Sequence, residues 1–192
     1  MILMSTGAVV AIAVVVIVLL LVFGLVGWYI STRNRFVRMT EDIDNSESRI
    51  DIYLTKRFDD LTKMVSTVKG YTKHESETLA NIIAMRNPGA KASMAEKAEF
   101  SNQLAEATRQ LNLVVEQYPT LKADTLFVRL QDEISEIEEN LQAARSNYNS
   151  NVSNYNKAIK VFPSSIVAGS KFLPRDYFEA EEHKRQDVEI NF

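Results

Sequence analysis

From Ala8 to Ile30 the chain reads AVVAIAVVVIVLLLVFGLVGWYI, an uncharged run inside a first 32 residues that carry no charged side chain. As an α-helix rising about 1.5 Å per residue, this run is roughly 35 Å long, enough to cross a hydrocarbon core of about 30 Å. A cleaved signal peptide would open on a basic n-region, keep its apolar core to about 7–15 residues and close on a small-residue cleavage site. None of these marks the run. A buried core helix would need apolar partners all round, and nothing else in the chain is apolar enough to supply them. The run therefore predicts a single transmembrane anchor over residues 1–32.

Flanking charge gives the anchor a direction. Met1 to Gly7 has no side-chain charge, whereas Arg33, Arg35 and Arg38 follow at once after the span. Lys and Arg accumulate on the cytoplasmic side of membrane helices, so the rest of the chain is expected in the cytoplasm with the N-terminus outside. Trp28 and Tyr29 sit at the same boundary, where amphipathic rings favour the headgroup region. These five residues form the predicted membrane interface.

The remainder is rich in Ala, Glu, Lys, Asn and Ser and poor in Gly and Pro, a helical composition. A net charge of -3 and an isoelectric point near 5.5 give no broad basic surface. Duplex nucleic acid, which needs clustered phosphate-neutralising cations, is not an expected partner. Without cysteine there is neither a disulfide framework nor a thiolate zinc site.

Four separated prolines, Pro88, Pro119, Pro163 and Pro174, punctuate this remainder, and long proline-free stretches between them permit uninterrupted helices. Phe36, Ile43, Ile50, Leu54, Phe58, Leu61, Val65, Val68, Leu79 and Ile82 recur mostly at steps of three, four and seven, one apolar stripe of a helix over about 33–86. No strong breaker separates it from the anchor. Gly70 inside it costs about 1 kcal/mol relative to Ala. Phe100, Leu104, Ala107, Leu111, Val114 and Tyr118 define a second helix over about 93–118. A third, over about 124–162, carries Leu126, Leu130, Ile134, Ile137, Leu141, Ala144, Tyr148, Val152, Tyr155, Ile159 and Phe162, with Asp124 as its N-cap. Its other face bears Asp132, Glu133, Glu136, Glu138 and Glu139, a charge run read as solvated helix surface. The expected fold is all-α: one N-terminal transmembrane helix, then an antiparallel bundle of long helices over 33–162. Residues 163–192 complete it as a short helix and an extended tail in which Val188, Ile190 and Phe192 alternate with polar residues.

No reactive constellation is legible. His74 and His183 have no second His or Cys at metal-ligand spacing, and there is no Gly-rich phosphate loop or nucleophile elbow. No catalytic, cofactor-binding or metal residue is assigned. Tyr148-Asn149 recurs seven residues on as Tyr155-Asn156, which puts both pairs on one helix face. Asn is a poor mid-helix residue. The pairs are expected to pack and hydrogen-bond a neighbouring helix, or else to form a partner surface.

Beyond these patterns, the chain resembles the LemA family of bacterial membrane proteins. The resemblance rests on Arg33-Asn34, Ile50-Asp51-Ile52, Lys56-Arg57, Val68-Lys69-Gly70-Tyr71, His74-Glu75 and Ala84-Met85-Arg86. It continues through Val114-Val115-Glu116, Tyr118-Pro119, Leu121-Lys122-Ala123, Ala144-Arg145, Tyr148-Asn149, Tyr155-Asn156, Phe162-Pro163 and Tyr177-Phe178. In two places the sequence departs from the family pattern. Glu47 stands where the family usually has Trp, and it falls on the apolar stripe between Ile43 and Ile50. Leu61-Thr62-Lys63-Met64 replaces an Ile-Pro-Asn-Leu run, so a kinking proline is gone. The resemblance implies an anchored cytoplasmic helical bundle in the bacterial inner membrane and no particular activity.

The functional expectation is a non-enzymatic, membrane-anchored scaffold or adaptor. Self-association is expected because the stripe from Phe36 to Ile52 lies beyond the reach of the shorter helices, and an uncovered stripe seeks a neighbour. The alternative is a regulatory subunit or substrate of a membrane protease, recognised through Val188, Ile190 and Phe192 as an added strand.

Overall fold

The computed structural model describes residues 6–70 and 77–179. All regular structure among them is helical: α1 Thr6–Lys69, α2 Glu77–Ala84, α3 Met94–Val115, α4 Pro119–Lys122, α5 Thr125–Lys160 and α6 Ser164–Ala168. The all-α fold matches the expectation. α1 is a single 64-residue helix. It opens with a segment long and apolar enough to cross a membrane, and the most apolar window of that segment is 0% buried within the chain. A core helix would be covered by the chain's own side chains; this one is not.

By their contacts the residues form two compact units, Met1–Asp42 with Ser153–Arg175, and Ile43–Val152 with Asp176–Phe192. α1 and α5 contribute to both.

In the first unit, Phe36 is fully buried, its ring centroid 5.0 Å from that of Phe172 at a tilt of 58°. The geometry is one that aromatic quadrupoles favour. The chain reaches this contact through a tight corner after α5. The Ser164 hydroxyl donates to the Ala158 and Val161 carbonyls at 2.7 and 2.8 Å, and α6 buries Val167 and Ala168. The Phe172 amide then donates to the Ala168 carbonyl at 3.3 Å.

In the second unit, α1 and α5 run antiparallel, because Arg57 pairs with Glu138 whereas Ser46 meets Asn151. α3 runs with α1: Lys97 reaches Glu47 and Asp51, and Phe100 lies 5.8 Å from Phe58. Between them α2 runs back, since α1 ends at Lys69 while Asn87, just past α2, donates to the Thr55 hydroxyl at 3.0 Å. The single helix expected over 33–86 is thus two helices, and with the one-turn α4 the described residues of the unit hold five helices where three were expected. Gly70 marks the stop: its amide turns back to the Thr67 carbonyl at 3.1 Å. Folding back puts Leu79 and Ile82 in the core at 1% and 2% exposure, where an outgoing helix would carry them past it.

Local signals behave as their chemistry requires. Ser93 and Glu96 form a reciprocal capping box at the start of α3. The Asp124 carboxylate accepts from the Leu126 and Phe127 amides at the start of α5. Pro119, expected to close the second helix, instead opens α4, at a position where a missing N–H costs nothing.

The stripe of α1 is covered. Phe36, Ile43 and Ile50 are each 0% exposed, so the expectation of an uncovered stripe near the anchor is wrong. α5 has about the length the sequence predicts, 36 residues, and reaches the stripe region, where Asn151 donates to Ser46. Of the large apolar residues in that region, Val37 and Ile52 are exposed. Leu126 and Phe162, expected on the buried face of α5, also face outward, and Phe127 takes the core place beside Leu130.

Leu79→Ala tests the fold-back of α2. Truncating a fully buried Leu costs about 2–5 kcal/mol. The urea midpoint of the detergent-solubilised chain should fall accordingly, and an unchanged midpoint would place Leu79 outside the core.

Candidate functional site

Leu173-Pro174-Arg175 cannot continue a helix: Pro174 lacks an amide proton and presses Leu173 toward extended conformation. An extended segment lying on a helix bundle has main-chain donors and acceptors with no ladder to join, and burying them unpaired is costly. The two Tyr-Asn pairs of α5 supply the partners. In the first unit the Tyr155 hydroxyl donates to the Leu173 carbonyl at 3.0 Å. The Asn156 amide closes a two-bond ring with Arg175, its Nδ2 donating to the carbonyl and its Oδ1 accepting from the amide, both at 2.9 Å. In the second unit the Tyr148 hydroxyl donates to the Asp176 carbonyl, and Asn149 makes the same two-bond ring with Phe178, all at 2.9 Å. The partners are seven residues apart on α5 and three apart on the segment.

The expected partner of these asparagines was a neighbouring helix; the structure supplies the main chain of an extended segment instead. Tyr148, Tyr155 and Asn156 are buried, and Asn149 is half-buried. Each asparagine side chain reads backbone as another backbone would. Burial pushes the Tyr155 phenol above its ordinary pKa, with Arg175 opposing.

A buried lysine forms the second polar centre. Lys97, its side chain 1% exposed, donates to Glu47 at 2.7 Å, to Asp51 at 2.9 Å and to the Ala90 carbonyl at 3.3 Å. Burial alone would lower its pKa, but the hydrogen bonds to Asp51 and Glu47 outweigh burial and hold it above the ordinary value. Burial raises the Asp51 carboxyl, which Lys97 only partly counters. The carboxylate that Glu47 places on the apolar stripe is thus neutralised from α3. Sequence reasoning missed this centre, although two carboxylates one helical turn apart on a packing face call for a cation.

A third cluster joins α1 and α5. Arg57, 4% exposed, pairs with Glu138, so one member of the acidic run is not merely solvated. Arg145 donates to the Ser101 hydroxyl, and its guanidinium carbon lies 4.7 Å from the centroid of the Phe178 ring. The Arg145 Nε has no hydrogen-bond partner among the described residues, and the ring face offers the charge a compensating contact.

Trp28, Tyr29, Arg33, Arg35 and Arg38 are exposed along α1. Val188, Ile190 and Phe192 lie outside the described residues, as do both histidines. Among the described residues no three His, Cys, Asp or Glu side chains are grouped to hold a metal ion.

These features define an all-helical protein with one membrane-length apolar segment, whose polar centres tie its own elements together. The chain belongs to the LemA family, which it matches over residues 46–192. Protein LemA of Metamycoplasma hominis is 31% identical to it over 166 residues, 85% of this chain and 76% of that one. Two magnetosome proteins of Paramagnetospirillum magneticum, MamQ 2 and MamQ 1, are each 30% identical over 92 residues, 47% of this chain and 32% of theirs. The LemA family is not known as an enzyme family.

Asn156→Ala removes both bonds to Arg175 and leaves its backbone unpaired, a loss of about 2–3 kcal/mol. Hydrogen exchange at the Arg175 amide should accelerate, while exchange in α3 keeps its native rate; equal protection at Arg175 would refute the pairing.

Lys97→Met leaves Glu47 and Asp51 without their cation, at a cost of about 2–4 kcal/mol given their partial exposure. The Asp51 carboxyl, already raised by burial, then loses the cation that counters burial and rises further above its unfolded value of about 4. The folded state binds more protons than the unfolded between those values, so the variant gains stability as pH falls from neutral toward 5. Denaturation midpoints measured across that range check the sign; a variant that loses stability on acidification contradicts it.

Proposed function

We propose that this protein is a non-enzymatic, membrane-anchored helical adaptor, held by its N-terminal span in a bacterial inner membrane with its N-terminus outside and its helical units in the cytoplasm. The observation that carries this reading is α1: one unbroken helix contains both the bare apolar segment and the stripe around which the second unit packs. A protein so built turns membrane attachment and domain folding into properties of one element. The exposed Arg33, Arg35 and Arg38 just beyond the apolar segment support the orientation. The polar side chains of the interior and its edge support the non-catalytic part of the reading: Lys97, Asn149 and Asn156 are engaged in holding other elements of the chain.

The adaptor does not need a second copy to cover its stripe, because Phe36, Ile43 and Ile50 are already buried within the chain. Its partners are other proteins at the membrane, met through the exposed faces of the helices.

Single cysteines at the exposed positions Glu99 and Glu139, crosslinked in native membranes, test this. Discrete adducts with another protein are expected. A ladder at multiples of the chain's own mass would reassign the protein to self-assembly, and absence of adducts from every position would sink the adaptor reading. A reporter fused after Phe192 that is active only outside the cytoplasm would reverse the orientation.

A further inference from the structure

The corner that links α5 to α6 has a surface that the adaptor reading does not use. Within thirteen residues Val161, Phe162, Ile166 and Leu173 are 58%, 76%, 66% and 67% exposed. Single exposed apolar residues are ordinary, but four large ones in one compact turn form a patch of the kind that marks an interaction surface. Folding has not simply left them loose. Ser164 fixes the turn to Ala158 and Val161, Tyr155 fixes Leu173, and Phe172 is stacked on Phe36.

Charge and position identify what the patch meets. From Asn140 to Arg175 the chain has no Asp or Glu, and Lys157, Lys160 and Lys171 stand exposed beside the patch. The first unit as a whole carries seven Lys and Arg against two acids, Glu41 and Asp42, in a chain whose net charge is -3. Phe36, to which the corner is stacked through Phe172, lies six residues past Ile30, about 9 Å of helix beyond the end of the apolar segment. A rigid apolar turn ringed by lysines, held about one Debye length from a bilayer boundary, has the chemistry of an interfacial lipid contact.

We infer that the corner from Val161 to Leu173 is a second membrane contact, seating Phe162, Ile166 and Leu173 at the headgroup boundary while Lys157, Lys160 and Lys171 face the phosphates of anionic lipid. This rests on the proposed anchoring by α1. The contact would fix the first unit against the leaflet at two points, the span and the corner, where a span alone leaves it free to swing.

The absence of native cysteine makes the test direct. Nitroxides placed one at a time by Phe162→Cys, Ile166→Cys, Leu20→Cys and Gln142→Cys in the full chain, in nanodiscs with phosphatidylglycerol, report accessibility to oxygen and to a water-soluble nickel complex. At positions 162 and 166 oxygen access should exceed nickel access, as at position 20, and position 142 should show the reverse. Replacing Lys157, Lys160 and Lys171 with Gln should shift 162 and 166 toward the nickel-accessible pattern. Nickel-dominated access at both corner positions, with position 20 in lipid, overturns the corner contact and leaves the anchor standing. Nickel-dominated access at position 20 as well removes the anchor and the contact together. Spin–spin broadening between corner labels of two chains would assign the patch to a second copy and overturn the lipid contact.

Discussion

A long amphipathic helix is stable only where something covers its stripe, and the 64 residues of α1 set that requirement for every other element. The stripe begins at Phe36, only six residues past the apolar segment, so cover is needed almost at once. Each unit answers in its own way. In the first, Phe172 is returned by the corner after α5 and closes over Phe36. In the second, α3 and α5 are tied to α1 through Lys97 and Arg57 while Leu54, Leu61 and Val65 are buried, and α2 folds back so that Leu79 and Ile82 are buried too.

The sequence announced what depends on period and on local backbone chemistry. The apolar run, the stripe of α1, the capping box at Ser93 and the cap at Asp124 need no knowledge of distant residues. The reversal after Gly70 was not legible, because a glycine in a helical pattern costs little and its neighbours keep the period; the decision lies in tertiary burial of Leu79 and Ile82. The cover of the stripe near the anchor was misjudged for a related reason: helix length could be read, but not where α5 would begin to pair. Glu47 was recognised as out of place on an apolar face, yet its partner Lys97 lies 50 residues on, and nothing in the spacing points there. The Tyr-Asn repeat was recognised as a unit. Its partner was not, since the main chain that it binds has no side-chain signature beyond Pro174.

The polar interior follows one pattern. Lys97 with Glu47 and Asp51, Arg57 with Glu138, and Arg145 with Ser101 each bridge different helices of the second unit. Apolar stripes tolerate rotation and sliding of one helix on another, whereas the ion pairs of Lys97 and Arg57 admit one arrangement, because removing either partner strands a charge. Such pairs specify register more than they add stability. The charge left outside is unevenly spread: Asp132, Glu136 and Glu139 crowd the surface of α5 in the second unit, while the first unit is basic.

The asparagine rings carry a further consequence. Asn149 and Asn156 grip Phe178 and Arg175 by their peptide groups, which every residue except proline presents alike. Such a grip constrains the number of residues between its two points and is blind to most of their side chains. The segment can therefore drift in sequence while staying fastened, and its outward side chains are free to be reshaped by selection without unpicking the fold beneath.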